Sequence, residues 1–435
     1  MSAPVVPPTR AARLRDILQL RFTPLFGNLP AATLNRISPV NAGRRFLKVL
    51  GYAVVRLLGN VLQPIRNPEK LHGAVWLYVV SANNVDALRF LRDGLPEAVF
   101  VAGQRKNIGR YGRSVNRLSL RRKALYYGQL PGVWWALRQT EGAAAWRFFD
   151  LIFAAVGYYE VYRRALRHYR PRAVIFANDH NDDPRALLLA CRAEGIPTAY
   201  VQHASVSQWF PPLGFDLNLL EGQHALDTYR TCGPIAGRVE LIGMPKADAF
   251  VAHRNAATTV RRVAIAANLL DPTADLVTTV AALLSGLPEL EFTFRAHPSD
   301  QRDFRALLGS SHPRLQFSSA QHETVFAYLL RHDALVAADT STHLEATLLN
   351  LVSLYYRFGG SRGLTDDYYG YVRHGVVDAA DNLPALIHQL RGLTIHKPAD
   401  SYARAAYYCA TVGTPDDGHS KRRALAIATH WLQTT

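Results

Sequence analysis

Apolar and polar positions follow two different rhythms along the chain. The first seventy residues run in helical periods. Segments 11–20 (AARLRDILQL) and, at greater length, 44–66 (RRFLKVLGYAVVRLLGNVLQPIR) set a Leu/Val stripe beside basic positions. From residue 73 the text changes to short runs rich in β-branched and aromatic residues. Strands are predicted at 73–80 (GAVWLYVV), 98–102, 173–177 (AVIFA), 198–202 (TAYVQ), 217–220 and 239–242, with a helix over 184–194 that Asp182 or Asp183 caps. The pattern then restarts. Further strands are predicted at 263–267, 291–296 (EFTFRA), 315–317, 334–338 (ALVAA) and 352–355, with helices at 275–284, 301–308, 323–331 and 342–349. Strands alternating with helices make βαβ units, so the fold class is α/β with two doubly wound parallel sheets. The expected division is a basic amphipathic appendage over 1–70, an N-terminal domain over 71–248 and a C-terminal domain over 249–435, linked through 245–262. Ligands of such sheets sit beyond the carboxyl ends of the strands, here in a cleft between the domains.

Charge sharpens this division. The chain has 435 residues and a formal net charge of +16. Residues 1–147 hold 23 Lys+Arg against 6 Asp+Glu, a net of +17, and the remainder holds 27 against 28. Basicity confined to one third points to a surface that meets anions. The 44–66 helix can lie in a membrane interface with its cations near anionic headgroups, or pack on the domain behind it. At 49% hydrophobic and 19% charged the chain is not a disordered one. Cys191, Cys232 and Cys409 are scattered and odd in number, which fits a reducing compartment rather than a disulfide framework. The Pro-rich residues 1–9, followed by arginines, are not expected to act as a secretory signal, and 46–63 is interrupted by Lys48, Arg56 and Asn60, too polar to span a bilayer. A cytoplasmic protein, peripheral at the inner face of the membrane, is expected.

Four strand ends carry more polarity than a plain fold requires. After 291–296 come His297, Pro298 and Ser299, where a histidine aimed by a rigid turn can donate to a phosphate. After 334–338 come Asp339, Thr340, Ser341 and Thr342, with Glu345 one turn into the helix. Three hydroxyls exceed what an N-cap needs and suit a phosphate, with Glu345 able to reach a ribose diol. Neither a P-loop nor a dinucleotide fingerprint is present. After 173–177 come Asp179, His180, Asp182 and Asp183, and the fourth pair is Gln202-His203 with Glu221-Gly222. A carboxylate or histidine here can take a proton from an acceptor hydroxyl. The candidates for that base, in order, are Asp179, Glu221 and His203, and no metal is expected. The basic stretch 105–123 with Tyr126 and Tyr127 suits a polyanionic acceptor, or is a solvated helix.

The His-Pro and the Ser/Thr turn some forty residues later resemble bacterial glycosyltransferases of the GT-B fold that use CMP-activated sugars, the sialyl-, polysialyl- and Kdo-transferases of capsule and lipopolysaccharide assembly. The segments GIPTAYVQHA (195–204) and IGMPKAD (242–248) are similar to the "GIPT…QHG" and "GNPxxD" segments of that group, with Ala204 and Met244 as departures. The resemblance covers roughly residues 170–360. It implies two Rossmann-like domains facing across a cleft. His297, Pro298, Thr340, Ser341 and Thr342 would hold the CMP phosphate and Glu345 the ribose, with no cofactor beyond the donor. The implied function is transfer of a sugar, Kdo or sialic acid, from CMP to a cell-surface glycan or lipid-linked acceptor. The alternative on the same fold is a CDP-glycerol or CDP-ribitol phosphotransferase with His203 as base. A nucleic-acid-binding protein is the distant alternative, and nucleic acid is not an expected partner, since no helix-turn-helix, zinc spacing or RNP-type strand appears.

Overall fold

The computed structural model describes residues 8–29, 31–62, 68–104, 106–309, 312–359 and 366–435. Residues 63–66, which end the predicted basic helix, and Arg105 of the basic stretch lie outside the described residues.

Runs such as VWLY, AVIF and ALVA are apolar on both faces, which only a sheet covered on both sides can use. They form two all-parallel sheets. The first contains β1 (Val75–Tyr78), β2 (Ala98–Gly103), β3 (Asn116–Leu118), β4 (Ala173–Phe176), β5 (Thr198–Val201), β6 (Leu217–Leu220) and β7 (Arg238–Leu241), in the order β3-β2-β1-β4-β5-β6-β7. The second contains β8 (Arg262–Ala266), β9 (Glu291–Arg295), β10 (Leu315–Ser318), β11 (Ala334–Ala337), β12 (Val352–Tyr356) and β13 (Asp378–Ala380), in the order β10-β9-β8-β11-β12-β13. Both orders reverse beside their first strand, giving two Rossmann-like domains. The strand pleat divides each core in two. Trp76 and Tyr78 point into one layer while Val75 and Leu77 point into the other. In the second sheet Val263 and Ile265 are separated in the same way from Ala264.

Several local expectations change. The helix after β4 runs Asp182–Glu194 with Asn181 as its N-cap, so the two aspartates occupy the first turn instead, where the helix dipole favours them. β3 and β13 are strands that the apolar pattern does not announce. The predicted helices 301–308 and 323–331 shorten to Phe304–Leu308 and Val325–Leu329. The last helix, Ser420–Thr434, leaves the second sheet and buries Ala424, Ala428, Trp431 and Leu432 against the first, beside Val75 and Leu77. The 249–435 segment therefore does not keep its final helix to itself. Asp248 caps that helix, accepting from Ser420 N (3.0 Å) and Lys421 N (2.7 Å).

The appendage divides its loyalties. Helix Arg10–Ile17 buries Leu14 and Ile17 on the first domain, tied by Arg185 Nε to Asp16 (2.7 Å). Helix Ala42–Leu62 is docked along one edge by Lys48 Nζ to Asp150 (2.6 Å), by buried Val49 and by Tyr52 edge-on to Phe153. Its other side is exposed. No helix among the described residues is long and apolar enough to cross a membrane.

Candidate active site

A cleft of about 1280 Å³ lies between the carboxyl ends of the two sheets, with walls from both domains. Gln202 and His203 follow β5, and Glu221 follows β6. Gln202 holds Glu221 in place: Glu221 N donates to Gln202 Oε1 (2.8 Å), and Gln202 Nε2 donates to the Ala204 carbonyl (3.0 Å) and Glu221 Oε2 (3.4 Å). Glu221 is 2% exposed, and its Oε1 has no hydrogen-bond partner. Burial pushes this carboxyl up to about 7; Lys246 opposes the shift and Glu345 adds to it.

Lys246 comes from the 3₁₀ turn Pro245–Ala247, where the chain passes between the domains. Its Nζ donates to Glu345 Oε1 at 2.6 Å. Burial works against the ammonium, but Glu345 and then Glu221 more than offset it, and its pKa rises. The result is a row of two carboxyls about one cation, in which only Glu345 has the direct bond. His203 is half-buried at the same wall, with Nε2 3.3 Å from Asn84 Nδ2. Burial, then His180 and Lys246, push its pKa down to about 4, so the imidazole is neutral at pH 7.

The opposite wall comes from the second domain. Ser299 N donates to His297 Nδ1 (3.1 Å), which leaves Nε2 of this exposed ring to carry the proton of the neutral form. Thr340 and Thr342 hydroxyls lie 3.0 Å apart, and Thr342 N donates to Thr340 Oγ1 (3.3 Å). Ser341 stands at the N-cap of Thr342–Leu348 without making a side-chain capping bond, so helix capping does not account for its hydroxyl. Behind the turn, Asp339 accepts from Tyr368 N and Tyr355 Oη, each at 2.8 Å. Burial pushes Asp339 up to about 6, against those bonds and with help from Asp366 and Asp367. Asn268 Nδ2 donates to the Asp339 carbonyl (3.2 Å), joining the β8 and β11 ends where the strand order reverses.

The cleft thus brings together Glu221, His203, His297, Pro298, Thr340, Ser341, Thr342 and Glu345. Asp179 is not among its lining residues. It is buried, accepts from Tyr229 Oη, and lies 3.0 Å from His180 Nδ1. Asp183 goes elsewhere again, accepting from Tyr78 Oη (2.6 Å), Tyr162 Oη and Lys106 Nζ (2.7 Å). The carboxylates after β4 therefore do not converge, and among the described residues no group of three or more His, Cys, Asp or Glu is placed to hold a metal ion. Glu345 does line the cleft, yet Lys246 engages the carboxylate that a ribose would need. The basic stretch builds β3 and 3₁₀ turns, with Lys106 paired to Asp183 and Lys123 buried 3.6 Å from the centroid of the Tyr158 ring, while Arg110, Arg113, Arg121 and Arg122 are exposed. Lys246 and Asp339 carry weight that the sequence pattern did not assign them. For Lys246 the only local signal is its place in the IGMPKAD segment.

Two parallel-sheet, Rossmann-like domains with a ligand-sized cleft between them make the GT-B fold. No protein-family description and no curated protein matches the sequence. Among solved structures the fold is shared with a UDP-GlcNAc 2-epimerase from Neisseria meningitidis bound to UDP-GlcNAc, at 12% identity and a TM-score of 0.54 over 83% of this chain and 100% of that one. The S. aureus MnaA–UDP structure is similar at 12% identity and a TM-score of 0.52, over 83% and 98%. A variant of the wall teichoic acid polymerase TagF with CDPG matches at 11% identity and a TM-score of 0.50, over 91% and 98%. At these identities the likeness is one of fold.

Proposed function

We propose that this chain is a GT-B glycosyltransferase that moves a sugar, Kdo or sialic acid, from a CMP-activated donor to an anionic glycan or lipid-linked acceptor at the inner membrane face. The observation that carries this reading is the meeting of two sets of groups in one cleft: a proton acceptor from the first domain and phosphate-directed donors from the second. The acceptor hydroxyl attacks the anomeric carbon of the donor, the bond to the CMP phosphate breaks, and its electron pair leaves with CMP. Glu221 takes the hydroxyl proton. A carboxyl held near 7 both accepts and releases a proton at neutral pH, which is what a general base requires. His297 Nε2 and the hydroxyls of Thr340–Thr342 meet the charge that develops on the leaving phosphate. The choice of CMP rests on the resemblance of the His-Pro and Ser/Thr turn.

Thermal melting with CMP, CDP and UDP tests the donor, and the expected outcome is the largest upward shift with a cytidine nucleotide. His297→Ala should remove that shift and abolish CMP release while the protein remains folded; a fully active variant would sink the assignment. A second reading is favoured by one observation, the neutral imidazole of His203 on the cleft wall. In it the donor is CDP-glycerol or CDP-ribitol and His203 is the base. CMP release from CDP-polyols but not from CMP-sugars, lost in His203→Asn and kept in Glu221→Gln, would select it.

A further inference from the structure

The Ala42–Leu62 helix presents a face that none of the described residues covers. Phe46, Leu50, Val54, Leu58 and Leu62 recur at every fourth position, with Leu47 beside them, and these six side chains are 47–78% exposed. The helix is not loose. Lys48, Val49 and Tyr52, at helical spacing on the opposite edge, dock it onto the Phe149–Ala155 helix, and Arg45 donates to the carbonyls of Pro39 (3.0 Å) and Val40 (2.7 Å). The apolar stripe is therefore held outward on a fixed support. The adjoining 3₁₀ turn Arg121–Gln129, which packs on this helix, adds Leu125 at 76% exposure. A contiguous apolar surface of this kind marks a contact site.

Charge selects the occupant. Residues 17–68 carry seven Lys or Arg and no Asp or Glu, and Arg44 on this helix and Arg36 on the Ala31–Ile37 helix before it are exposed. A second copy of this chain would set the same exposed cations, Arg36 and Arg44, against themselves. A helix with one apolar side, flanking cations, and too little hydrophobicity to cross a bilayer suits the plane between headgroups and acyl chains of an anionic membrane.

We propose that this face is a monotopic docking surface for anionic phospholipid bilayers, with Phe46, Leu47, Leu50, Val54, Leu58 and Leu62 entering the acyl boundary and Arg36 and Arg44 meeting the headgroups. This deepens the membrane location in the proposed function and rests on it only in taking a membrane as the surface. Its test needs neither donor nor acceptor, so failure of the transfer reaction would leave it standing. The full chain is mixed with vesicles of phosphatidylcholine alone, or of equal parts phosphatidylcholine and phosphatidylglycerol, and floated on a density gradient. The wild-type chain should float with the anionic vesicles and much less with the neutral ones. The triple variant Leu47→Asp, Leu50→Asp, Leu58→Asp should lose roughly tenfold or more of that partition at an unchanged thermal midpoint. Arg36→Glu with Arg44→Glu, which leaves the stripe intact, should lose the preference for phosphatidylglycerol. Equal flotation of wild type and both variants would overturn the proposal. So would a lipid-free wild-type dimer that the triple variant turns into a monomer, since a second copy would then be what covers the face.

Discussion

Glu221 owes its chemistry to its surroundings. An ordinary glutamate is ionised well below neutrality; this one is buried with an unpartnered oxygen, and its pKa stands at about 7. The raised value has a sign. Between about 4.5 and about 7 the folded protein keeps a proton that the unfolded chain has released, so the stability it contributes is full below pH 4.5 and lost as pH rises through 7. The size is on the order of 3 kcal/mol. Urea unfolding at pH 5 and pH 8 should show the wild type losing stability relative to Glu221→Gln, which has nothing to ionise. In the proposed role of general base Glu221 must be deprotonated, so kcat/KM should climb with pH through about 7, and Glu221→Gln should lose about 10²–10⁴-fold. Lys246→Met removes the cation that pulls Glu221 down, and the climb should move to higher pH. An unchanged profile in both variants would remove Glu221 from the reaction. By sequence alone Asp179 stands ahead of Glu221, because it is a carboxylate directly after a strand. Tyr229, fifty positions away, holds Asp179 outside the cleft lining, and a partnership at that distance leaves no local trace.

At the level of elements, both-faced apolar runs identify the inner strands, and these are where prediction and structure agree. Of the four edge strands, β7 and β10 are also legible, while β3 and β13 escape because an edge need not be apolar. β3 reads Asn-Arg-Leu and β13 reads Asp-Ala-Ala, short polar or small-residue runs that pair in parallel with β2 and β12. The junction after β7 shows the reverse, a single residue dictated by packing. Gly243 has φ +79°, donates its N–H to the Glu221 carbonyl (3.1 Å), and a Cβ there would run into the Thr411 and Ser420 hydroxyls. Gly243→Ala combines a left-handed backbone with that clash and should cost about 2–4 kcal/mol, read as a lower urea midpoint. A midpoint within error of wild type would show that the turn can rearrange.

On the scale of the whole molecule the domains are sewn together from several sides. His224 stacks on Tyr408 with centroids 4.0 Å apart, Tyr407 Oη donates to Asp227 (2.9 Å), and Ala410 N donates to the Glu221 carbonyl (2.9 Å). The final helix completes the seam by burying Trp431 under the first sheet. One consequence is a single cooperative thermal transition for the full chain. Trp431→Ala leaves a cavity worth about 3–5 kcal/mol and detaches the strap, so the melt should broaden or divide in two. A single sharp melt at the wild-type midpoint would mean that the strap does not couple the domains.

The order of apolar runs by itself determined two doubly wound parallel sheets, because a strand buried on both faces has one way to satisfy both its backbone and its side chains. It also determined that the basic charge sits apart from the second domain, and that the strand ends of that domain carry hydroxyls and a histidine. Only the tertiary structure decided which polar strand ends meet. It drew Glu221 and Lys246 to Glu345 and the Ser/Thr turn, placed Asp179 with Tyr229, and sent the last helix back to the first domain. These are contacts across fifty to two hundred residues or more, made by desolvation and packing, and such forces act between surfaces that have no adjacency in the chain.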